Sequence, residues 1–268
     1  MILNFSCNYC IPVYLSINIS MKLLIFGSPR TRTSYLLDVL CQHYNIKNFR
    51  EPYTGQLVTE SRNFEIYKSK NKEVTNNLKH QDNFGVKVFT DALIDWYFFT
   101  EDADYSKLTK QSIMDIYDIH NLDMYDQIYI TYRKNSIDRF CSFTRAFSQN
   151  KFIFRKGQEN SIKFYSPKNV NLEYKYKDLK LSLFTDILHS QLIKQITQRK
   201  NNSICLEYDE IKNFVNFNYP KIESQCVESF YDYKNTLKNY SQICDDFSKA
   251  KLELEEAGAI ELVSTLFT

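Results

Sequence analysis

The chain has 268 residues and a formal net charge of +2, long enough to bury a substantial core in one domain and too balanced to demand nucleic acid or an acidic membrane surface as partner. Only 5 Gly and 5 Pro stand beside 20 Tyr and 20 Phe; an AT-rich coding bias accounts for this, so the aromatic abundance is not read as a stacking surface. Seven scattered cysteines fit reduced thiols in a cytoplasm better than a disulfide scaffold, and Cys7-x-x-Cys10 lacks the second pair or nearby His of a metal site.

Residues 1–20 carry an apolar patch but no basic start and no small-residue cleavage site, so they are expected to be a poorly ordered extension, with the working domain spanning 21–268. No run reaches the roughly 18 apolar residues of a membrane span. Lys22 to Gly27 reads as a buried strand, broken at Gly27-Ser28-Pro29, and residues 33–44 as an amphipathic helix. Ile46 to Phe49 fits a short strand ending at Arg50-Glu51-Pro52, with a helical pattern around 60–70. Phe84 to Phe89 and Gln127 to Tyr132 are strands, the second followed by a helix from Ser136 to Ser148. Residues 149–178 show little period and read as a mobile loop. Leu179 to Lys200 is predicted as a long helix, Ser203 to Leu206 as a strand, and Ser224 to Leu237 and Asp246 onward as helical. Strands separated by helices predict an α/β domain, a parallel sheet covered on both faces.

Two segments carry chemistry. A strand running through Ser28-Pro29-Arg30-Thr31-Arg32-Thr33-Ser34 into a helix leaves backbone N–H groups and the positive helix end at one spot, an anion cradle to which the arginines and hydroxyls add. The triphosphate loop G-x-x-x-x-G-K-[ST] is absent, since neither its second Gly nor its Lys follows Gly27. The second segment is a strand ending at Arg133-Lys134, with Ser142 on the next helix, nine residues after Arg133 and eight after Lys134. A guanidinium fork and a hydroxyl converging at a strand's carboxyl edge suit a phosphate dianion, which favours Arg133, with Lys134 as the alternative register.

Together these resemble the two phosphate motifs of sulfotransferases that use 3′-phosphoadenosine 5′-phosphosulfate (PAPS). Pro29, Arg30, Thr31, Thr33 and Ser34 match the 5′-phosphosulfate loop in order, with Arg32 where the family usually has Gly. Arg133 or Lys134 with Ser142 resembles the 3′-phosphate motif. Tyr208-Asp209-Glu210-Ile211 resembles a late structural landmark of the family. The resemblance implies a P-loop-NTPase-like three-layer domain with a central parallel sheet of four or five strands. It also implies sulfuryl transfer from PAPS to an acceptor hydroxyl, or less favourably an amine, a carbohydrate or glycolipid being favoured, with no metal; the charge balance and the scattered cysteines add the expectation of no nucleic-acid partner and a cytoplasmic setting.

The histidine base of cytosolic members is missing near Lys87-Val88-Phe89. Phe49-Arg50-Glu51-Pro52-Tyr53 resembles the glutamate segment of other members, so Glu51 is the candidate base, with His80 and His120 as alternatives, and Lys87 the candidate cation for the transferring group. A non-catalytic module on the same fold and a divergent P-loop kinase are the rival readings. Acceptor recognition is assigned to 52–80, 90–125 and 145–178, where loops carry specificity.

Overall fold

A computed structural model describes residues 20–53, 64–89, 120–148, 154–155, 169–224, 226–227 and 232–266. Five strands form one all-parallel sheet: β1 (Lys22–Gly27), β2 (Lys47–Arg50), β3 (Phe84–Phe89), β4 (Gln127–Tyr132) and β6 (Ser203–Glu207), in the order β2-β3-β1-β4-β6. β1 is central and buried on both faces, which is why it is an unbroken apolar run rather than an alternating one. β2 lies at the edge, and its polar Lys-Asn-Phe-Arg sequence suits that exposure.

Helices cover both faces, giving the expected three-layer α/β architecture. From β1 the chain passes through α1 (Thr33–Tyr44) to the β2 side, and from β4 through α3 (Ser136–Ser148) and α4 (Tyr176–Arg199) to the β6 side. Right-handed crossovers running in opposite directions must place their helices on opposite faces. Accordingly Leu23, Ile25 and Tyr129 pack with α1 and with α5 (Ile211–Asn218) on one face. Leu24, Phe26, Val86 and Ile130 pack with Phe184, Leu188, Leu192 and Ile196 of α4 on the other. α7 (Tyr240–Glu256) and α8 (Ala259–Leu266) extend that second core through Leu254 and Val263. Because successive connections depart from the centre in opposite directions, a crevice opens beyond the carboxyl ends of β1 and β4.

Several elements differ from the sequence-based expectations. α2 (Phe64–Lys79) is longer than the pattern around 60–70, and α4 begins at Tyr176, three residues before Leu179. Within the segment expected to be a mobile loop, β5 (Phe154–Arg155) pairs with β7 (Cys226–Val227), and Asn169 N–H donates to Thr236 O at 2.8 Å while Leu172 N–H donates to Asn239 Oδ1 at 2.9 Å. Residues 149–153 and 156–168 lie outside the described residues. Ser224 to Leu237 is not one helix. It holds β7 and a single helical turn, α6 (Tyr233–Thr236), because Ser224 accepts the Cys226 amide, β7 pairs with β5, and Asp232 caps α6 locally. α5 went unassigned in the sequence although Ile211, Phe214 and Val215 have the i, i+3, i+4 spacing of its buried face. Residues 1–19 fall outside the described residues, and no described helix is long and apolar enough to cross a membrane.

Candidate functional site

The loop after β1 is fixed from within. Thr31 Oγ1 donates to Ser28 O at 2.6 Å and lies 2.7 Å from Thr131 Oγ1 on β4. A hydroxyl has one proton, so Thr131 supplies the one between the two threonines. Gly27 permits this closeness: a Cβ there would stand 2.2 Å from Thr131 Oγ1 and 2.8 Å from Thr131 O. Pro29 is half-buried in the turn, while Ser28, Thr31 and Thr33 are buried. The Thr31 hydroxyl therefore staples the loop, and the groups an anion could meet there are the backbone amides, Arg30, Arg32 and Ser34.

Arg30 and Arg32 both adopt left-handed backbone, at φ 67° and 60°. Such residues cost about 1–2 kcal/mol each unless glycine, so tertiary contacts must hold them. Arg32 stands where the resembled family usually has Gly, and its backbone is the conformation glycine favours. Arg32 Nη1 donates to Tyr208 O at 2.7 Å, and its guanidinium lies 4.0 Å from the Tyr208 ring centroid. Arg30 Nε donates to Ser142 Oγ at 2.8 Å, joining positions 112 residues apart.

The second motif arrives at the same edge, because β1 and β4 are adjacent and end together, Gly27 beside Thr131. Arg133 follows β4 with its side chain 8% exposed, its Nη2 3.5 Å from Asp138 Oδ2 and its guanidinium 4.3 Å from the same Tyr208 ring. Lys134 is exposed and contributes a backbone amide to Glu207 Oε1 at 3.3 Å. Thus Arg133, not Lys134, faces the cluster. Glu207 also accepts the Asp209 amide at 2.7 Å, and Tyr208 N–H donates to Tyr132 O at 2.8 Å, so the turn carrying Tyr208 is pinned to β4. Tyr233 sits behind Ser142 and Arg145, its hydroxyl bonded to both; burial pushes its phenol pKa up while those bonds and the charges of Arg145 and Arg30 oppose the shift.

The third group stands at the β2 side. The β2–β3 register shifts between Asn48 and Arg50, and Arg50 is left-handed at φ 59°. Such irregularities re-aim the following side chain, and here Glu51 forms an ion pair with Lys87 on β3. Lys87 Nζ also donates to Ser34 Oγ. Lys87 is only 3% exposed. Burial lowers its pKa below the ordinary lysine value, and Glu51 opposes that shift. A carboxylate, an ammonium and a hydroxyl at the start of α1 thus form one line.

The structure therefore brings Arg30, Arg32, Arg133 and Ser142 together, and separately Ser34, Lys87 and Glu51, with the loop 28–34 common to both. The sequence does not single out Tyr208 as a ring platform or Arg145 as a site residue, although Arg145 is buried in α3. Its period on α3, three residues after Ser142, was the available signal. His80 is exposed at the end of α2 and His120 is buried, with its ring against Tyr53. Of the regions assigned to acceptor recognition, residues 54–63, 90–119, 149–153 and 156–168 lie outside the described residues. In comparison with known proteins, the chain matches no protein-family model and no curated protein.

Proposed function

We propose that this protein is a sulfotransferase that moves a sulfuryl group from PAPS to an acceptor hydroxyl, a carbohydrate or glycolipid being the favoured class. The observation that carries the reading is the convergence of Arg30 with Ser142, and of Arg32 with Arg133 on Tyr208, at the carboxyl ends of β1 and β4. Three arginines and a serine hydroxyl gathered at one switch-point crevice suit a ligand rich in phosphate. In this reading Arg133 and Ser142 hold the 3′-phosphate, and Arg30 with the amides leading into α1 holds the 5′-phosphosulfate.

The acceptor oxygen attacks sulfur in line. Glu51 receives the acceptor's proton, the sulfur–oxygen bond to the acceptor forms, and the bond to the bridging oxygen breaks. That oxygen keeps the electron pair, so adenosine 3′,5′-bisphosphate leaves. Fixed cations stabilise charge where it develops; Lys87, beside Ser34, is placed to do so for the transferring group, and its contact with Glu51 must be shared or broken when the base acts. Free thiols on Cys41, Cys141, Cys205, Cys226 and Cys244 fit a cytoplasmic setting.

A thermal-shift titration with adenosine 3′,5′-bisphosphate, adenosine 5′-monophosphate and ATP tests the donor. A ligand at 100 times its dissociation constant stabilises by about 2.7 kcal/mol. The bisphosphate should dominate, and its advantage should vanish in Arg133→Ala; equal response to all three nucleotides rejects the reading. A compact single-phosphate site is the second reading, favoured by the direct bond between Arg30 and Ser142. It predicts that the monophosphate binds as tightly as the bisphosphate.

A further inference from the structure

We propose that Tyr53, Asn71, Thr75, His120 and Tyr125 form a second binding site, which takes an uncharged hydroxyl-bearing molecule of the polyol or sugar type. All five side chains are buried, at 5%, 1%, 3%, 0% and 3% exposure. Tyr53 OH lies 3.1 Å from Thr75 Oγ1 and 3.2 Å from Tyr125 OH, a chain of three hydroxyls. The His120 ring stands edge-on to Tyr53 with centroids 4.6 Å apart, and Asn71 sits one turn before Thr75 on α2.

Three nitrogens at this cluster, His120 Nδ1, His120 Nε2 and Asn71 Nδ2, have no hydrogen-bond partner among the described residues. Buried polar groups are ordinarily paired, and an orphaned set calls for a guest. The demand is specific. A neutral imidazole offers one N–H and one lone pair, and the amide offers N–H groups. A molecule with several hydroxyls, each of which both donates and accepts, can answer all three, since the two ring nitrogens point to different sides of the imidazole. A carboxylate or phosphate would meet the imidazole lone pair, and none of the five side chains is charged to balance an ammonium. Leu78, Phe84 and Leu122 belong to the same buried core as Tyr53 and Tyr125, apolar neighbours that suit the ring faces of a sugar or inositol. Tyr53 stands two residues beyond Glu51, separated by Pro52. The assignment of this guest as the non-reacting part of the acceptor rests on the proposed sulfuryl transfer; the site itself does not.

Saturation-transfer NMR on the full chain, with methyl β-D-glucopyranoside and myo-inositol as probes, tests the site. Transfer to at least one probe is expected in the wild type, with affinity at least tenfold weaker in His120→Phe, which keeps the edge-on ring contact, and in Asn71→Leu. Melting curves verify that each variant folds. Absence of transfer to the wild type from both probes, or equal affinity in wild type and both folded variants, overturns the proposal and leaves ordered water as the guest. Adenosine 3′,5′-bisphosphate shifts measured on the same samples separate the two readings. If the bisphosphate stabilises all three proteins and the sugar probes fail, only this site falls. If the probes bind and the bisphosphate does not, the hydroxyl site stands and the donor assignment falls.

Discussion

Acidification from pH 7 to pH 5 should destabilise this protein through two histidines sealed in its core. Burial lowers the pKa of His120 to about 3. It also lowers that of His189 to about 4, despite the bond from His189 to Thr131 O, whose acceptor-only oxygen puts the ring proton on Nε2. The unfolded chain titrates near the ordinary value of 6.5, so between the two values it binds more protons than the folded one. The associated stability is therefore complete above pH 6.5 and is lost as pH falls toward the folded values. Each histidine should remove about 2 kcal/mol between pH 7 and pH 5, about 4 kcal/mol together, a large share of a typical folding free energy. Urea unfolding at the two pH values measures the loss in wild type, and repeating it in His120→Phe removes one contribution while every other titrating group cancels in the difference. The variant should lose about 2 kcal/mol less than wild type over the same interval. Equal pH dependence in the two proteins would refute the argument that His120 is buried neutral.

Gly27→Ala should fail to fold or lose several-fold in thermal stability margin, because its Cβ collides with both the hydroxyl and the carbonyl of Thr131; circular-dichroism melts check this, and a wild-type melting curve would refute the staple. Lys134→Ala should bind adenosine 3′,5′-bisphosphate as wild type does, whereas Arg133→Ala should lose at least tenfold in calorimetric titration, since only Arg133 turns into the cluster. At position 32, Gly should be more stable than Ala by about 1 kcal/mol, because both lose the Tyr208 contacts but only Gly accepts φ 60° without strain. Comparison of urea midpoints decides it. Glu51→Gln should abolish transfer to acceptor in a labelled-sulfate assay while leaving bisphosphate affinity within about twofold, because a proton acceptor is lost without a donor-site contact.

The layered architecture was legible because its strands carry their own signal. Lys22–Gly27 is a short apolar run, and Phe84–Phe89 and Gln127–Tyr132 are mostly apolar and β-branched or aromatic, as strands of a sheet buried on both faces are. The motif at 28–34 was legible because its hydroxyls and arginines are contiguous. What fails in the sequence is whatever depends on a distant partner. Ser224 to Leu237 has helical spacing, yet the pairing of Cys226–Val227 with Phe154–Arg155 decides its backbone. Tyr208 looks like an ordinary strand end until Arg32 and Arg133 reach it from positions far earlier in the chain.

The same division applies to the candidate site. The amino-acid sequence alone determined which groups exist: a loop of arginines and hydroxyls entering a helix, and a strand ending in Arg133 with a serine on the next helix. Local physics suffices for this, since propensity and periodicity act within a few residues. Only the tertiary structure decided which of those groups meet. It turned the Thr31 hydroxyl inward to Thr131, chose Arg133 over Lys134 for the cluster, swung Glu51 onto Lys87 through the irregularity at Arg50, and sealed His120 beside Tyr53. Those outcomes follow from strand order and handed crossovers, which bring remote segments to one sheet edge.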